Sequence, residues 1–265
     1  MVTRMTKNIA IGDIHGALVP LLNLLERESL IDSDHRWAAE DTHLIFLGDY
    51  LDRGENGIGV LETIMRLEVE AANAGENVSA LLGNHDLILL EVHHFGDALS
   101  PGFLRQGKEV SFRQMWLENA GGKPEDLQRL EAKHIAWLER RPAMMKFGET
   151  LLMHADSEFY LEYGDSIESI NHNIQTVMLE KNMIDMDTLE EKFCGRKEFI
   201  HDEDIARAFA ARFGAKRIVH GHTPIYKLCQ LEPEFVTEAL EYANGACLNL
   251  DHGLCYGGDG FVYGF

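Results

Sequence analysis

Over roughly the first ninety residues, short apolar runs alternate with longer segments of helical periodicity. Lys7–Gly12, His43–Gly48 and Val78–Gly83 are near-continuous apolar stretches that end at glycine, the pattern of buried strands. Between them, Ala17–Ser29 spaces Leu18, Leu21, Leu22 and Leu25 for one helical face, and Val60–Ala72 does the same with Leu61, Ile64, Met65 and Leu67. Strand and helix in alternation predict βαβ units and a mainly parallel sheet. Further on, Glu91–Arg141 is polar and reads as helix-rich, with amphipathic helices over Glu109–Glu118 and Pro124–Glu139 around a Gly121-Gly122 loop. Ala143–Phe147 and Thr150–Met153 flank Gly148-Glu149 as a hairpin. Asp165–Phe213 is helical and charged, with breaks near Asp185 and Gly195, and a strand follows at Arg217–His220. The remaining residues alternate short strands with Gly-rich turns. No repeat or linker interrupts the chain, so residues 1–265 read as one α/β domain, with helical insertions at about 91–141 and 156–213.

Composition narrows the function. A formal net charge of −20 disfavours a nucleic-acid duplex as partner, because affinity for the phosphate backbone comes from clustered Lys and Arg. No stretch approaches the ~18 consecutive apolar residues of a membrane span, and Met1–Asp13 lacks the apolar core of a signal peptide. Cys194, Cys229, Cys247 and Cys255 form no CxxC motif, which reads as free thiols in a reducing compartment and a cytoplasmic location.

The candidate chemistry gathers where the predicted strands end. Gly12-Asp13-Ile14-His15-Gly16 closes the first, Gly48-Asp49-Tyr50-Leu51-Asp52-Arg53-Gly54 the second, and Gly83-Asn84-His85-Asp86 the third. Met153-His154-Ala155-Asp156 and His220-Gly221-His222-Thr223-Pro224 follow two later strands. In an open α/β sheet, ligands bind beyond the carboxyl ends of the strands. His15 lies 34 residues before Asp49, and Asp49 lies 35 before Asn84, about one βαβ unit each, so these side chains reach a single rim. Carboxylate, imidazole and amide oxygen without thiolate suit Mn²⁺, Fe²⁺ or Zn²⁺. The donors outnumber the needs of one open-sided ion, so two ions sharing Asp49 is the economical arrangement. Two metals can clamp a phosphoryl oxygen, and Arg53 is suited to bidentate phosphate recognition. Together these residues point to metal-assisted hydrolysis of a phosphate ester.

GDIHG, GDYLDRG, GNHD, a strand ending in His154, and HGHT, in that order, resemble the calcineurin-like metallophosphatases. The DRG that follows Asp49, at Asp52-Arg53-Gly54, resembles the phosphoprotein phosphatase branch, with its bacterial members and the related diadenosine tetraphosphatases. The closing LNLDHGLCYGG resembles the terminal strand and turn of the bacterial forms. The resemblance implies a four-layer α/β/β/α sandwich. It implies Asp13, His15 and Asp49 on one metal and Asp49, Asn84, His154 and His222 on a second, with a metal-bridging hydroxide as nucleophile. It also implies His85 as proton donor to the leaving oxygen, Asp52 as its orienting partner, and Arg53 as phosphate binder. Manganese is the expected metal, with iron or zinc as alternatives. Pro224 stands where phosphodiesterase branches carry a further histidine ligand, which favours the phosphoprotein-phosphatase arrangement. The second phosphate-binding arginine of that branch is assigned to Arg196, with Arg140 and Arg141 as competitors.

Simpler roles exist for each group. Asp13 and Asn84 could be helix caps, Asp49 and Asp52 turn residues, Arg53 an ion-pair partner and His154 a structural histidine; none of these explains five similar clusters at strand ends. His220 is expected behind the ligands, and His93, His94, His172, His201 and His252 away from them. Asp251 is read either as support for a ligand histidine or as a turn residue. Glu190, Glu191 and Asp202–Asp204 are read as solvated or first-turn charges. The leading function is hydrolysis of a phosphate monoester in a phosphoprotein, nucleotide or small metabolite. The alternative is hydrolysis of dinucleoside polyphosphates or inorganic polyphosphate, with Arg105, Lys108 and Arg113 supplying positive charge. A catalytically silent metal-binding module is the reading from another class.

Overall fold

The computed structural model describes residues 6–105 and 108–265. In chain order the described strands are β1 (Lys7–Ile11), β2 (Thr42–Phe46), β3 (Asn77–Ala80), β4 (Leu99–Arg105), β5 (Lys108–Ser111), β6 (Met144–Phe147), β7 (Thr150–Met153), β8 (Arg217–His220), β9 (Leu240–Tyr242), β10 (Cys247–Asn249) and β11 (Tyr263–Gly264). They form a sheet ordered β11-β1-β2-β3, a second ordered β6-β7-β8-β10-β9, and a separate β4–β5 hairpin. β1, β2 and β3 run parallel, as the βαβ pattern predicts, with β11 antiparallel at the edge. The second sheet is mixed: β7, β8 and β10 are parallel, while β6 and β9 run antiparallel beside them.

Alternate residues of these strands enter two different cores, which explains their continuous apolar runs. Ala10, Ile45, Leu47, Leu81, Leu152, Val219, Leu248 and Leu250 form one cluster, drawn from both sheets and filling the space between them. Their neighbours Ile9, Ile11, Leu44, Phe46, Leu151, Met153, Ile218 and Cys247 point the other way, into the cluster shared with the helices. A strand covered on both faces cannot alternate apolar with polar residues. Helices outside two facing sheets give the four-layer α/β/β/α architecture that the resemblance implied.

The helices α1 (Leu18–Arg27), α2 (Gly57–Ala74) and α3 (Asn84–Phe95) follow the strands of the first sheet. The first insertion continues with α4 (Phe112–Met115), a π-helical turn at Trp116–Ala120, α5 (Pro124–Arg129) and α6 (Ala132–Leu138). The second carries α7 (Ile167–Glu180), α8 (Met183–Phe193), α9 (Glu198–His201) and α10 (Glu203–Arg212), and α11 (Ile225–Cys229) follows β8.

Three expectations are corrected. The helix expected over Glu109–Glu118 starts as strand β5, because Lys108–Ser111 pairs with β4, and only Ser111, capping Gln114 N, begins the helix. The expected Pro124–Glu139 helix is two helices, broken where Leu130 and Glu131 are extended and His134 Nδ1 accepts from Glu131 N. The break expected near Asp185 falls at Lys181, in the left-handed region, and Asn182 caps the next helix through Ile184 N and Asp185 N.

Candidate metal centre

The motif residues lie just beyond the carboxyl ends of the strands, on loops or, for Asn84, His85 and Asp86, in the first turn of α3, and tight backbone packing draws these segments together. His15 N and Ile14 N donate to Asp49 O, Gly16 N to Tyr50 O, and Gly54 N to His15 O. The motif glycines are required by these approaches. A Cβ on Gly83 would lie 2.3 Å from Asp49 N, and one on Gly221 would lie 2.1 Å from Asp13 Oδ1. His15, Asp49, Asp52, Arg53 and His222 all hold positive φ, between 48° and 70°. Non-glycine residues in this region cost about 1 kcal/mol or more each, and such strain persists where the surrounding contacts over-determine it.

The buried ring and carboxylate atoms form two groups that meet at Asp49. His15, Asp49 and His85 bring ligand atoms within 4.8 Å of one another, as do Asp49, His154 and His222. His15 Nε2 lies 3.4 Å from Asp49 Oδ2 and 3.7 Å from Asp13 Oδ2, so Asp13 borders the first group. Asp13 is itself pinned, its two oxygens accepting from His222 N. In the second group, Asn84 Oδ1 lies 3.1 Å from His154 Nε2 and 3.0 Å from His222 Nδ1, and those two nitrogens are 3.2 Å apart. The structure thus brings Asp13, His15, Asp49, Asn84, His154 and His222 into one buried rim.

The outer ring nitrogens fix how the inner ones face. His15 Nδ1 donates to Leu51 O (3.0 Å), His154 Nδ1 to Leu47 O (2.9 Å), and His85 Nδ1 to Asp52 Oδ2 (2.7 Å). Each therefore turns Nε2 toward the centre, the orientation that backing hydrogen bonds impose on metal-ligating histidines. This donor set is rich in acceptors and short of positive charge. Arg53 donates from Nη1 to His15 Nε2 (2.6 Å) and from Nη2 to His85 Nε2 (2.8 Å), placing its own cation there. Burial would lower His154, yet the carboxylates around it, Asp49 first, raise it to about 9. Burial would likewise raise Asp49, but the imidazoles of His154, His85 and His15 hold it well below the ordinary carboxylate range. Asp13 is pushed up by burial and then by Asp251. The residues fit divalent cations: buried, acceptor-rich and short of positive charge.

The remaining candidates fall elsewhere. His220 sits behind the rim, bonded to Gly221 O (2.9 Å) and Tyr242 Oη (2.6 Å). Asp251 holds a turn, accepting from Gly253 N, and makes no hydrogen bond to a histidine. Arg196 is exposed at the mouth, its Nε 3.3 Å from Cys194 O. Arg141 is drawn away to Glu68 and Trp137, and Arg113 to Asp97. The side chains of Arg105 and Lys108 lie outside the described residues. Glu190, expected in solvent, turns inward: Cys194 Sγ donates to it at 2.9 Å, and burial lifts its carboxyl to about 7.

Sequence reading missed three supporting groups. Asp86, the last letter of GNHD, accepts from Asp49 N (3.1 Å), Tyr50 N (3.1 Å) and Gly83 N (2.9 Å), tying the second and third loops together. Trp116 Nε1 donates to Asp52 Oδ1 at 2.6 Å, behind the His85 contact. Cys194 places its carbonyl 3.4 Å from His222 Nε2. Asp86 could have been suspected from its motif; the other two lie in the insertions and carry no local signal.

The profile of the calcineurin-like phosphoesterase family matches residues 7–226, and the chain belongs to that family, whose members use divalent metals. A protein from Arabidopsis thaliana called Shewanella-like protein phosphatase 2 is 36% identical over 83 residues, 31% of this chain and 21% of that protein. A symmetrical bis(5'-nucleosyl)-tetraphosphatase from Marinomonas sp. (strain MWYL1) is 39% identical over 92 residues, 35% of this chain and 28% of that protein. These matches span less than a third of either relative. Among solved structures, a cold-active protein tyrosine phosphatase superposes with a TM-score of 0.71 at 23% identity, covering 98% of this chain and 73% of that one. A putative diadenosine tetraphosphatase gives 0.53 at 16% identity, covering 100% and 95%. At these identities the likeness is one of fold. No helix among the described residues is long and apolar enough to cross a membrane.

Proposed function

We propose that the chain is a single metallophosphatase domain that hydrolyses phosphate monoesters with two divalent ions, manganese being the first choice. The observation that carries this reading is the position of Asp49 in both ligand groups, with Arg53 and the His85–Asp52 pair on the same rim. Asp13, His15 and Asp49 would hold one ion, and Asp49, Asn84, His154 and His222 the other. Bound there, the ions supply positive charge to the phosphoryl oxygens and acidify water for attack on phosphorus.

The chain's own groups do the rest. Arg53 donates to His15 Nε2 and His85 Nε2; with His15 holding an ion, the guanidinium fork would be free to turn to the phosphate oxygens. His85 shares the first group with His15 and Asp49, yet its Asp52 partner suits it to proton delivery at the leaving oxygen. Arg196, exposed beside Cys194, would meet a second phosphate oxygen. The phosphorylated partner is a phosphoprotein, nucleotide or small phosphoester. Four free cysteines fit a cytoplasmic protein.

The test is turnover of para-nitrophenyl phosphate, bis-para-nitrophenyl phosphate and diadenosine tetraphosphate by metal-stripped protein given Mn²⁺, Fe²⁺, Zn²⁺ or Mg²⁺. Metal-restored hydrolysis of the monoester is expected. Asp49→Asn should abolish it and lower the metal content while leaving the circular dichroism unchanged; retained turnover in that variant contradicts the assignment. A second reading, hydrolysis of dinucleoside polyphosphates, draws on the Marinomonas relative. Turnover of the dinucleotide without the monoester would favour it. Against it, Arg113 is turned to the exposed Asp97.

A further inference from the structure

Two turns beyond the metal-ligand loops bring aromatic rings to the side of Arg53. Tyr226 is the second residue of α11, the short helix after His220-Gly221-His222-Thr223-Pro224. Tyr256 ends the turn after β10, held between Gly253 and Gly257, both at positive φ. The rings lie 5.4 Å apart at 59°. Arg53 Cζ is 5.8 Å from the Tyr256 centroid, and Lys227 Nζ is 5.7 Å from the centroids of both tyrosines. Tyr226 is half-buried and Tyr256 is 39% exposed, so both present ring surface to solvent. Next to Tyr256 opens a pocket of about 660 Å³, whose lining includes Gly16, Gly54, Glu55, Arg129, Cys255 and Gly257. Its wall includes the glycines that close the first two motif loops, so it adjoins the rim that Arg53 serves.

An aliphatic leaving group would gain little from two solvent-facing rings this close to the phosphate-binding arginine. A flat ring gains offset or edge-to-face contact with them, and Lys227 adds a second positive charge within reach. Building on the phosphoester reading, we propose that Tyr226, Tyr256 and Lys227 form the subsite for the group esterified to the phosphate, and that this group carries a flat aromatic ring. An aryl phosphate and a nucleotide share that chemistry.

Matched non-hydrolysable pairs test it on the Mn²⁺-loaded protein by calorimetry. Phenylphosphonate against ethylphosphonate reads the aryl case, and α,β-methylene-ADP against methylenediphosphonate reads the nucleobase case. The ring-bearing member of at least one pair should bind about tenfold tighter, and the favoured pair identifies the source. Tyr226→Leu, which leaves Arg53 untouched, should cut that preference roughly three- to tenfold while ethylphosphonate affinity holds. Tyr256→Phe should keep the preference. Lys227→Gln should weaken the diphosphonates more than the monophosphonates. Equal affinity within both pairs, or equal loss for ring and non-ring ligands in Tyr226→Leu, overturns the subsite and leaves the rings as supports for Arg53. Failure of every phosphonate to bind overturns the phosphoester reading and the subsite with it.

Discussion

Asp52 accepts from His85 Nδ1 on one oxygen and from Trp116 Nε1 on the other, so the carboxylate that orients the imidazole is itself oriented by an indole from the first insertion. Removing that donor leaves a buried charged oxygen short of a partner, at a cost of about 1–3 kcal/mol. Trp116→Phe should therefore lower kcat about tenfold while metal content and KM hold; an unchanged kcat would show that the His85–Asp52 pair needs no such support. The motif letters named the groups at this scale because each motif is contiguous. Their partners were hidden, since Trp116 lies 64 residues from Asp52. The left-handed φ of Asp52 and Arg53 also follows from packing, with Arg53 N donating to Gly121 O from the same insertion.

The elements carry their own junction terms, and α2 depends on one from another helix. Asp126 accepts from Gly57 N (3.1 Å) and Ile58 N (3.1 Å), while Asn56 accepts from Gly59 N. The first turn of α2 is thus capped from α5 as well as by its own preceding residue. Asp126→Ala should destabilise the fold by about 1–2 kcal/mol and lower Tm by roughly 2–8 °C, a shift that calorimetric melting measures. Strands β1, β2 and β3 were legible because they are buried on both faces and bounded by glycine. The β4–β5 hairpin was not: β4 contains Pro101 and Gly102, and its pairing is interrupted between Leu99 and Leu104. The helical spacing of Phe112, Met115 and Trp116 outweighed a four-residue strand in the pattern.

For the whole molecule, the buried rim concentrates negative charge in a protein already at −20. Asp13, Asp49 and Asp251 are each at most 1% exposed, and burial with Asp49 nearby lifts Asp251 to about 6. Ions that bind only the native rim stabilise it by mass action, about 4 kcal/mol at a thousandfold excess over Kd. Metal-loaded protein should melt roughly 10 °C above the chelated form. Identical melting temperatures would mean that these residues hold no cation in the native state. By itself the sequence determined the strand ends, the residues placed on them and the class of chemistry, because apolar period, glycine punctuation and motif spacing are all local along the chain. Tertiary structure alone decided that Trp116 backs Asp52, and that Tyr256 lies beside Arg53 with Tyr226 against it. Those contacts join segments tens to hundreds of residues apart, and packing across the sheets sets them, which no local pattern records.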